Sequence, residues 1–292
     1  MRPAPFEYFA PRTVDEALDL LARHGDEAKL LAGGQSLVPM MNMRLVRPAV
    51  VVDLNRVAAL GAVQADAGRL RLGALVRQHA LERDGRIAAA APLLAEAAPL
   101  IGHLQTRARG TVGGSLAHAD PAAELPACMI ALDAVFHLRS ARGPRTCRAQ
   151  DFFRGLLATA LEPDELLAEI GIDTPAAPAF RAGHGFAEVA RRHGDFALVG
   201  VCAVLALDAG GVCRHARLVI FGAGDGPHLA RATAALIGER PAAARLAEAG
   251  RAAVAEIDAR ADLHATAEYR RRVAAGLAAR ALQRAAARAE AA

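Results

Sequence analysis

The sequence predicts an α+β protein in which a mixed N-terminal part is followed by an antiparallel sheet with helices packed on it. Up to about residue 175, short apolar runs typical of buried strands alternate with helical patterns. Beyond it, strand-like stretches at 183–192, 196–208 and 212–221 follow one another through short turns, as in a β-meander. Between the two parts lies the proline-punctuated stretch Thr174-Pro175-Ala176-Ala177-Pro178-Ala179, which we interpret as a linker.

The composition is that of a globular protein. Of the 292 residues, 53% are hydrophobic and 23% are charged, which is unlike a disordered chain. Lys29 is the sole lysine, and the net charge of +4 arises from arginines interleaved with acidic residues along the chain, so we predict no nucleic-acid partner. The chain opens without a leader pattern, and its apolar runs are too short to span a bilayer. We therefore expect a soluble, cytoplasmic protein without a membrane span.

The four cysteines predict no metal centre in this chain. Cys128, Cys147, Cys202 and Cys213 lack the Cys-x-x-Cys spacing of zinc or iron–sulfur sites. Each lies in an apolar or strand-like context, which favours a small buried side chain.

Local signals predict the elements of the first 60 residues. Thr13 and Glu16 have the spacing of a capping box and Gly25 stands where a helix ends, which predicts a helix over 14–24. Apolar runs predict strands at 28–31 and 50–54, and a short helix lies between them, within 38–45.

The next hundred residues predict a hairpin, then helices, then strands. The hairpin spans 63–73, and the helical patterns, interrupted by prolines, lie at 76–83, 86–101 and 121–131. Strand-like stretches follow at 134–139, 145–148 and 166–173. After the meander, two or three helices finish the chain, the last over about 266–289.

Two glycine segments share one pattern. Lys29-Leu30-Leu31-Ala32-Gly33-Gly34-Gln35-Ser36-Leu37 and Arg109-Gly110-Thr111-Val112-Gly113-Gly114-Ser115-Leu116 each lead an apolar run into Gly-Gly and then a polar side chain. Such a backbone can approach a phosphate closely and offer it N–H donors. We expect the second segment to lie one turn before the helix that starts at Pro121, where an anion is favoured. Together they predict a site for the two sides of one pyrophosphate.

Other chemistry is excluded or left open. The P-loop pattern Gly-x-x-x-x-Gly-Lys-Ser/Thr is absent, because the sole lysine, Lys29, precedes the glycines of its segment. Pro227 replaces the third glycine in Gly222-Ala223-Gly224-Asp225-Gly226-Pro227, so we interpret this stretch as a strand-to-helix loop. Asp120 and Glu124 are possible general acids or bases, but carboxylates at a helix start also serve as ordinary caps. No motif identifies a nucleophile, which suits a protein whose bound cofactor performs the chemistry.

These residues resemble one family. Ala32-Gly33-Gly34-Gln35-Ser36-Leu37, the stretch from Arg109 to Pro126 and Glu188-Val189-Ala190-Arg191-Arg192-His193-Gly194-Asp195-Phe196-Ala197 closely resemble the FAD-binding medium subunit of molybdenum hydroxylases, the carbon monoxide dehydrogenase and xanthine dehydrogenase family. The resemblance covers nearly the whole chain. It implies a vanillyl-alcohol-oxidase-type (PCMH-type) FAD-binding domain over 1–175, with subdomains at about 1–57 and 58–175, and a C-terminal domain of the carbon monoxide dehydrogenase flavoprotein type over 180–292.

The resemblance also implies the cofactor site. The first segment would wrap the FAD pyrophosphate and the second would hold it from the other side. Asp120 and Glu124 would accept hydrogen bonds from ribityl or ribose hydroxyls, Leu167 would pack near the adenine or flavin ring, and His193 would lie beside the isoalloxazine. The implied FAD-binding residues are Leu31, Ala32, Gly33, Gly34, Gln35, Ser36, Leu37, Thr111, Gly113, Gly114, Ser115, Asp120, Glu124, Leu167 and His193; no residue is implied as catalytic.

The implied activity is electron transfer within a complex. A large subunit would hold the molybdenum cofactor, a small subunit would hold two [2Fe–2S] clusters, and the assembly would be a dimer of heterotrimers. This chain would accept electrons from the clusters and pass them to an external acceptor. Two alternatives stay open: a self-contained FAD-dependent oxidase or dehydrogenase of the same fold, and a binding homologue without flavin.

Overall fold

The computed structural model describes residues 2–66, 68–173 and 180–292. These residues contain three main sheets, and helices accompany each of them. The α+β class is confirmed, because one sheet is parallel with helices alongside and the others are antiparallel. The predicted linker from Thr174 to Ala179 lies outside the described residues.

The N-terminal unit is a three-stranded parallel sheet in the order β1-β3-β2. Its elements are β1 (Glu7–Phe9), α1 (Val14–His24), β2 (Ala28–Leu31), α2 (Leu37–Asn42) and β3 (Val50–Asp53). Thr13 caps α1 by accepting from the N–H of Glu16 at 3.1 Å, as predicted. The reciprocal bond differs: the Glu16 carboxylate accepts from the N–H of Arg12, one residue before the cap.

The second unit is a five-stranded antiparallel sheet in the order β4-β5-β10-β6-β7, with a group of short helices before β6. Its elements are β4 (Val63–Asp66), β5 (Arg69–Gly73), α3 (Ala80–Arg83), α4 (Gly85–Ala90), α5 (Pro92–Ala97), α6 (Leu104–Arg109), α7 (Val112–His118), α8 (Glu124–Ala131), β6 (Val135–Ser140), β7 (Gly143–Arg148), α9 (Ala149–Phe152), β8 (Phe153–Gly155), β9 (Ala158–Thr159) and β10 (Leu166–Asp173). The small pair β8-β9 stands apart from the large sheet.

Three helix predictions are corrected here. The helix predicted over 76–83 starts only at Ala80, because the backbone around Arg77 forms a bridge with Thr111. The helix predicted from Pro121 begins at Glu124. Within the second glycine segment, Thr111 to Ser115 do not form a loop one turn before a helix, because Thr111 caps α7 and the helix begins at Val112.

The C-terminal unit is a four-stranded antiparallel sheet that buries both faces. Its elements are β11 (Arg181–Ala190), β12 (Ala197–Leu207), β13 (Cys213–Phe221), β14 (His228–Leu229), α10 (Ala243–Ala255) and α11 (Ala267–Ala291). Along β12, Val201 and Ala203 pack in the core with α10 and α11, whereas Cys202 packs in the core of the second unit. A strand covered on both faces explains the continuous apolar run in the sequence.

Candidate functional site

The two glycine segments, far apart in sequence, are in direct contact. Gly33 follows β2, and a Cβ atom built on it would overlap the carbonyl oxygen of Arg109 and lie 2.8 Å from the Cα of Gly110. A Cβ on Gly114 would lie 3.5 Å from the Cβ of Ala32. The close approach therefore depends on the missing side chain of Gly33, as glycine permits.

Several backbone N–H groups of the first segment have no hydrogen-bond acceptor among the described residues. Gly34 has φ of +73°, a left-handed conformation that suits glycine. The N–H groups of Gly33, Gly34, Gln35 and Ser36 donate to no acceptor within the described ranges. The Gln35 side chain donates instead to the carbonyl oxygen of Gly33 at 3.1 Å. Four consecutive unpaired amides beside a positive φ form the kind of concavity that holds a phosphate.

Most backbone N–H groups of the second segment already donate to acceptors within the chain. The backbone amides at the start of α7 already have acceptors: Val112 N with Val76 O (2.9 Å), Gly113 N with Ala74 O (2.8 Å), Gly114 N with the Thr111 hydroxyl (3.0 Å) and Ser115 N with Thr111 O (3.1 Å). The hydroxyl of Ser115 makes no hydrogen bond to the part of the chain that the structure describes. The two segments therefore share a sequence pattern but differ in the groups that remain free to bind a ligand. The first segment has four backbone N–H groups without an acceptor, and the second has the hydroxyl of Ser115.

The two predicted carboxylates lie in different environments. Asp120 accepts from the N–H of Ala122 at 2.8 Å in the turn between α7 and α8. Glu124 opens α8 and is 6% exposed. Burial and, to a lesser extent, the nearby charge of Asp120 raise the pKa of Glu124 to about 7, against the opposing effects of a backbone hydrogen bond and of Arg107. Near neutral pH this carboxyl exists in both protonation states.

Glu124 also belongs to a buried cluster between the second and C-terminal units. Burial, together with the charge of Glu124, raises the pKa of Glu188, on β11, to about 8. Cys128 and Cys202 are fully buried neighbours of these carboxyls, and burial raises the pKa of the Cys128 thiol. The cluster was not predicted, because residues 124 and 188 lie on different units.

The remaining predicted residues lie apart from the glycine contact. Leu167, on β10, is 4% exposed and packs in the core of the second unit. His193 is exposed in the turn between β11 and β12. Its neighbour Gly194 packs against His103, which immediately precedes α6. The turn that carries His193 is thus packed, through Gly194, against the residue that precedes α6.

The side chains of Asn55 and Arg77 connect the two glycine segments through hydrogen bonds. The sequence did not predict either residue as part of the site. The Asn55 amide donates to the carbonyl oxygen of Ala32 at 2.8 Å, and Arg77 donates to that of Arg109. A signal existed: Asn55 follows the carboxyl end of β3, beside the end of β2, and ligands bind at this edge of parallel strands.

Outside this region the structure offers few competing sites. A cavity of about 580 Å³ lies between Leu60 and the strands β6, β7 and β10, but its residues Arg139 and Arg145 are already paired with Asp15 and Glu165. Among residues 2–66, 68–173 and 180–292, no group of three His, Cys, Asp or Glu side chains is placed to hold a metal ion. Over the same ranges, none of the helices has the length and apolarity to cross a membrane.

Two family profiles match the chain. The family described as "FAD binding domain in molybdopterin dehydrogenase" matches residues 4–175. The family described as "CO dehydrogenase flavoprotein C-terminal domain" matches residues 184–285.

Characterised relatives are similar over nearly their full length. The 6-hydroxypseudooxynicotine dehydrogenase complex subunit alpha of Paenarthrobacter nicotinovorans is 39% identical, over 94% of this chain and 92% of the relative. The caffeine dehydrogenase subunit beta of Pseudomonas sp. (strain CBB1) is 38% identical, over 98% and 96%. A chain of the Hydrogenophaga pseudoflava carbon monoxide dehydrogenase that lacks the Mo-pyranopterin moiety superposes with a TM-score of 0.94 at 37% identity, over 99% of both chains.

Proposed function

The chain belongs to the FAD-binding medium subunits of molybdenum hydroxylases, and from this premise we propose that it is the electron-transfer subunit between the [2Fe–2S] clusters of a partner and an external acceptor. It is an oxidoreductase subunit whose cofactor is FAD. FAD, when bound, supplies a ring that takes up one or two electrons. What this chain contributes is a binding surface that holds and orients that ring.

The unpaired amides of the first segment carry the proposal. A pyrophosphate needs several converging N–H donors, and Gly33, Gly34, Gln35 and Ser36 supply four in a row. Leu31, Ala32 and Leu37 flank them, and Ser115 would add its hydroxyl from α7, which meets the first segment where Gly114 faces Ala32. Thr111, Gly113 and Gly114 form the opposite wall, with Thr111 capping the helix and Gly113 packed on Ala74. The residues therefore fit the cofactor.

The other predicted contacts are retained as part of the proposal. Asp120 and Glu124 would bind ribityl or ribose hydroxyls, and Glu124, with its pKa raised to about 7 by burial, can donate as well as accept. Leu167 would pack near the adenine or flavin ring. The exposed His193 would lie beside the isoalloxazine.

The partners proposed are a large molybdopterin subunit and a small [2Fe–2S] subunit, assembled as a dimer of heterotrimers. Support comes from relatives that carry the names "complex subunit alpha" and "subunit beta". Those names also specify different substrates although the chains share one fold, so we infer that substrate choice lies in another subunit. We further propose a cytoplasmic location, which the four free cysteines fit.

We propose domain limits of 1–175 for the FAD-binding domain, with subdomains at about 1–57 and 58–175, and 180–292 for the C-terminal domain. The parallel sheet, the five-stranded sheet and the C-terminal sheet fall within these three ranges. Expression of residues 1–175 alone, followed by FAD titration, tests the first limit.

A visible spectrum of the purified full chain tests the cofactor assignment. We expect flavin absorption bands, or their appearance after incubation with FAD, in the wild type and in Gly85→Ala, whose added methyl meets open space. Gly34→Val should lose them, because a β-branched residue is strained at φ of +73° and would meet Val38 at about 3.1 Å. Full flavin occupancy in Gly34→Val would contradict the site, and a wild type that takes up no FAD would identify a flavin-free homologue.

Co-purification from the native host tests the partners. We expect the tagged chain to bring down a molybdenum-containing and an iron–sulfur protein in equal amounts. A chain that purifies alone and reduces oxygen with its own organic substrate would instead be a self-contained oxidase.

A further inference from the structure

We propose that Asn55 and Arg77 are positioning residues that aim the first glycine segment at the pyrophosphate, an inference that rests on the proposed FAD site. They form one chain of hydrogen bonds between the two glycine segments. The Asn55 amide nitrogen donates to Ala32 O at 2.8 Å, its amide oxygen accepts from Arg77 at 2.6 Å, and Arg77 donates to Arg109 O at 2.5 Å.

The bond to Ala32 fixes the direction of a backbone donor. In a trans peptide the C=O and the following N–H point in opposite directions. Because Ala32 O is turned toward Asn55, the N–H of Gly33 must point away from Asn55. Gly33 is the first of the four amides without an acceptor in the described ranges. Releasing Ala32 O would free this peptide to rotate and scatter the donors.

Asn55 is itself held rigidly. The Asp53 carboxylate accepts from the Asn55 backbone N–H at 2.9 Å and from its side-chain amide at 2.5 Å. The Tyr8 hydroxyl donates to the other carboxylate oxygen at 2.6 Å. Burial alone would raise the pKa of Asp53, but the hydrogen bonds from Tyr8 and Asn55 outweigh it and hold the pKa below its ordinary value. Asp53 therefore stays ionised and keeps Asn55 oriented.

Arg77 is anchored to the second segment on both sides. The N–H of Gln78 donates to Gly110 O at 2.9 Å, and the N–H of Val112 donates to Val76 O at 2.9 Å. The guanidinium therefore reaches Asn55 from a backbone fixed to α7. The side chains of Asn55 and Arg77 therefore bridge the two segments, in addition to the direct backbone contact at Gly33.

The test compares cofactor affinity with the stability of the flavin-free protein. Full-length wild type, Asn55→Ala, Arg77→Met and Arg77→Lys are stripped of flavin, and the Kd for FAD is measured by quenching of flavin fluorescence. We expect Asn55→Ala and Arg77→Met to raise this Kd about tenfold, the equivalent of one charge-assisted or positioning hydrogen bond. Arg77→Lys, which retains the charge and one donor, should recover most of the affinity.

Two features distinguish positioning from a general structural role. The double variant Asn55→Ala/Arg77→Met should have a Kd for FAD no higher than that of the single variant with the higher Kd. The reason is that both residues act through the same chain of hydrogen bonds between the segments. Arg86→Met is the matched control, since Arg86, like Arg77, donates to a side-chain oxygen and to a backbone carbonyl oxygen, here those of Asp84 and of Val63 (2.9 Å), away from the segments. It should leave the Kd for FAD unchanged.

The outcomes separate the inference from the function on which it rests. Wild-type FAD binding with an unchanged Kd in Asn55→Ala and Arg77→Met overturns the positioning role, even where the melting temperature of the flavin-free protein falls. If one of these variants does not fold, the other decides. A wild type that binds no FAD overturns the proposed function and the inference together.

Discussion

The contact of Gly33 with Arg109 can be compared with the contact of Gly185 with helix α11, because glycine lets two backbones meet at both places. A Cβ on Gly33 would overlap Arg109 O, and a Cβ on Gly185 would overlap Ala281 O. Around Gly185, the backbone of β11 is paired with β12 at Ala203 and that of α11 lies inside a helix. Around Gly33, four amides are free of acceptors within the described residues.

The difference shows that close approach alone does not make a binding site. At Gly185 the glycine makes room for a helix, and the contact is filled by protein. At Gly33 it makes room for a second chain segment while leaving donors that only a ligand or water can satisfy. Unpaired backbone donors, and not glycine itself, are therefore the basis of the proposed phosphate site.

The two regions also differ in charge. The glycine segments are joined through hydrogen bonds to carbonyl oxygens, whereas the C-terminal unit is joined to α5 through ion pairs. Glu96 binds Arg284 at 2.9 Å, Arg288 at 2.5 Å and His184 at 3.3 Å. The junction of α5 with the C-terminal unit therefore depends on the charge of Glu96, whereas the glycine segments are joined through neutral carbonyl oxygens.

The largest effect is expected from Gly33→Ala. The added methyl would separate the segments, so FAD binding should be lost, and the free energy of unfolding should fall by roughly 3 kcal/mol from overpacking. Flavin absorption and urea unfolding of the full chain measure the two effects. Gly61→Ala, where the methyl meets open space, is the control and should retain FAD. Retention of FAD by Gly33→Ala would show that the contact at Gly33, like that at Gly185, serves only packing.

Gly185→Ala should affect stability alone. The methyl would force β11 away from α11, which we expect to lower the free energy of unfolding by about 2 kcal/mol. The fraction that remains folded should bind FAD with the wild-type Kd, because no donor of the first segment is disturbed. A raised Kd in this variant would show that the two regions are coupled.

Glu188 should make stability fall as pH rises. Its pKa is raised to about 8 by burial and by Glu124, so the folded state keeps a proton that the unfolded state loses near its ordinary pKa. This stabilisation is complete below the unfolded pKa and is lost as pH rises through about 8, a change on the order of 2 kcal/mol between pH 5 and pH 9. Urea unfolding across this range should show the slope in the wild type.

Glu188→Gln should flatten only part of that slope, because Glu124, with its pKa raised to about 7, contributes a slope of the same sign. Glu239→Gln, at an exposed carboxyl, should leave the slope intact. Equal slopes in the wild type and Glu188→Gln would show that Glu188 does not titrate with folding.

The smallest effect is expected from Glu96→Gln. Burial would raise the pKa of Glu96, but hydrogen bonds from His184 and Arg288 outweigh it and lower the pKa to about 2. The resulting stabilisation is present above the unfolded pKa and is lost as pH falls toward 2. Because the arginines are partly exposed, we expect a loss of only about 1 kcal/mol at pH 7, and less in high salt. Thermal melts at two salt concentrations measure it, and a salt-independent loss would point to packing instead.

Local signals were sufficient for most elements. Thr13 and Gly25 predicted both ends of α1, and the alternation of the C-terminal strands predicted their order and turns. These features depend on residues close in sequence, whose caps and side-chain periodicity act wherever the segment is placed. The linker from Thr174 to Ala179 remains a prediction, since it lies outside the described residues.

The sequence could not reveal how the two glycine segments differ. Val112-Gly113-Gly114-Ser115 has poor helix propensity, yet it forms the start of α7 because Thr111 caps it and Gly113 packs on Ala74. That packing occupies the amides of the segment. Propensity is a weak local preference, and burial against β5 overrides it.

The sequence by itself determined most of the elements, the two glycine segments and the family that they resemble. Only the tertiary structure decided that Gly33 touches Arg109, that Asn55 and Arg77 connect the segments, and that Glu124 and Glu188 share a buried cluster. The physical reason is the same in each case. Residues separated by tens of positions meet only when whole units pack, and their free donors and shifted pKa values arise from that packing.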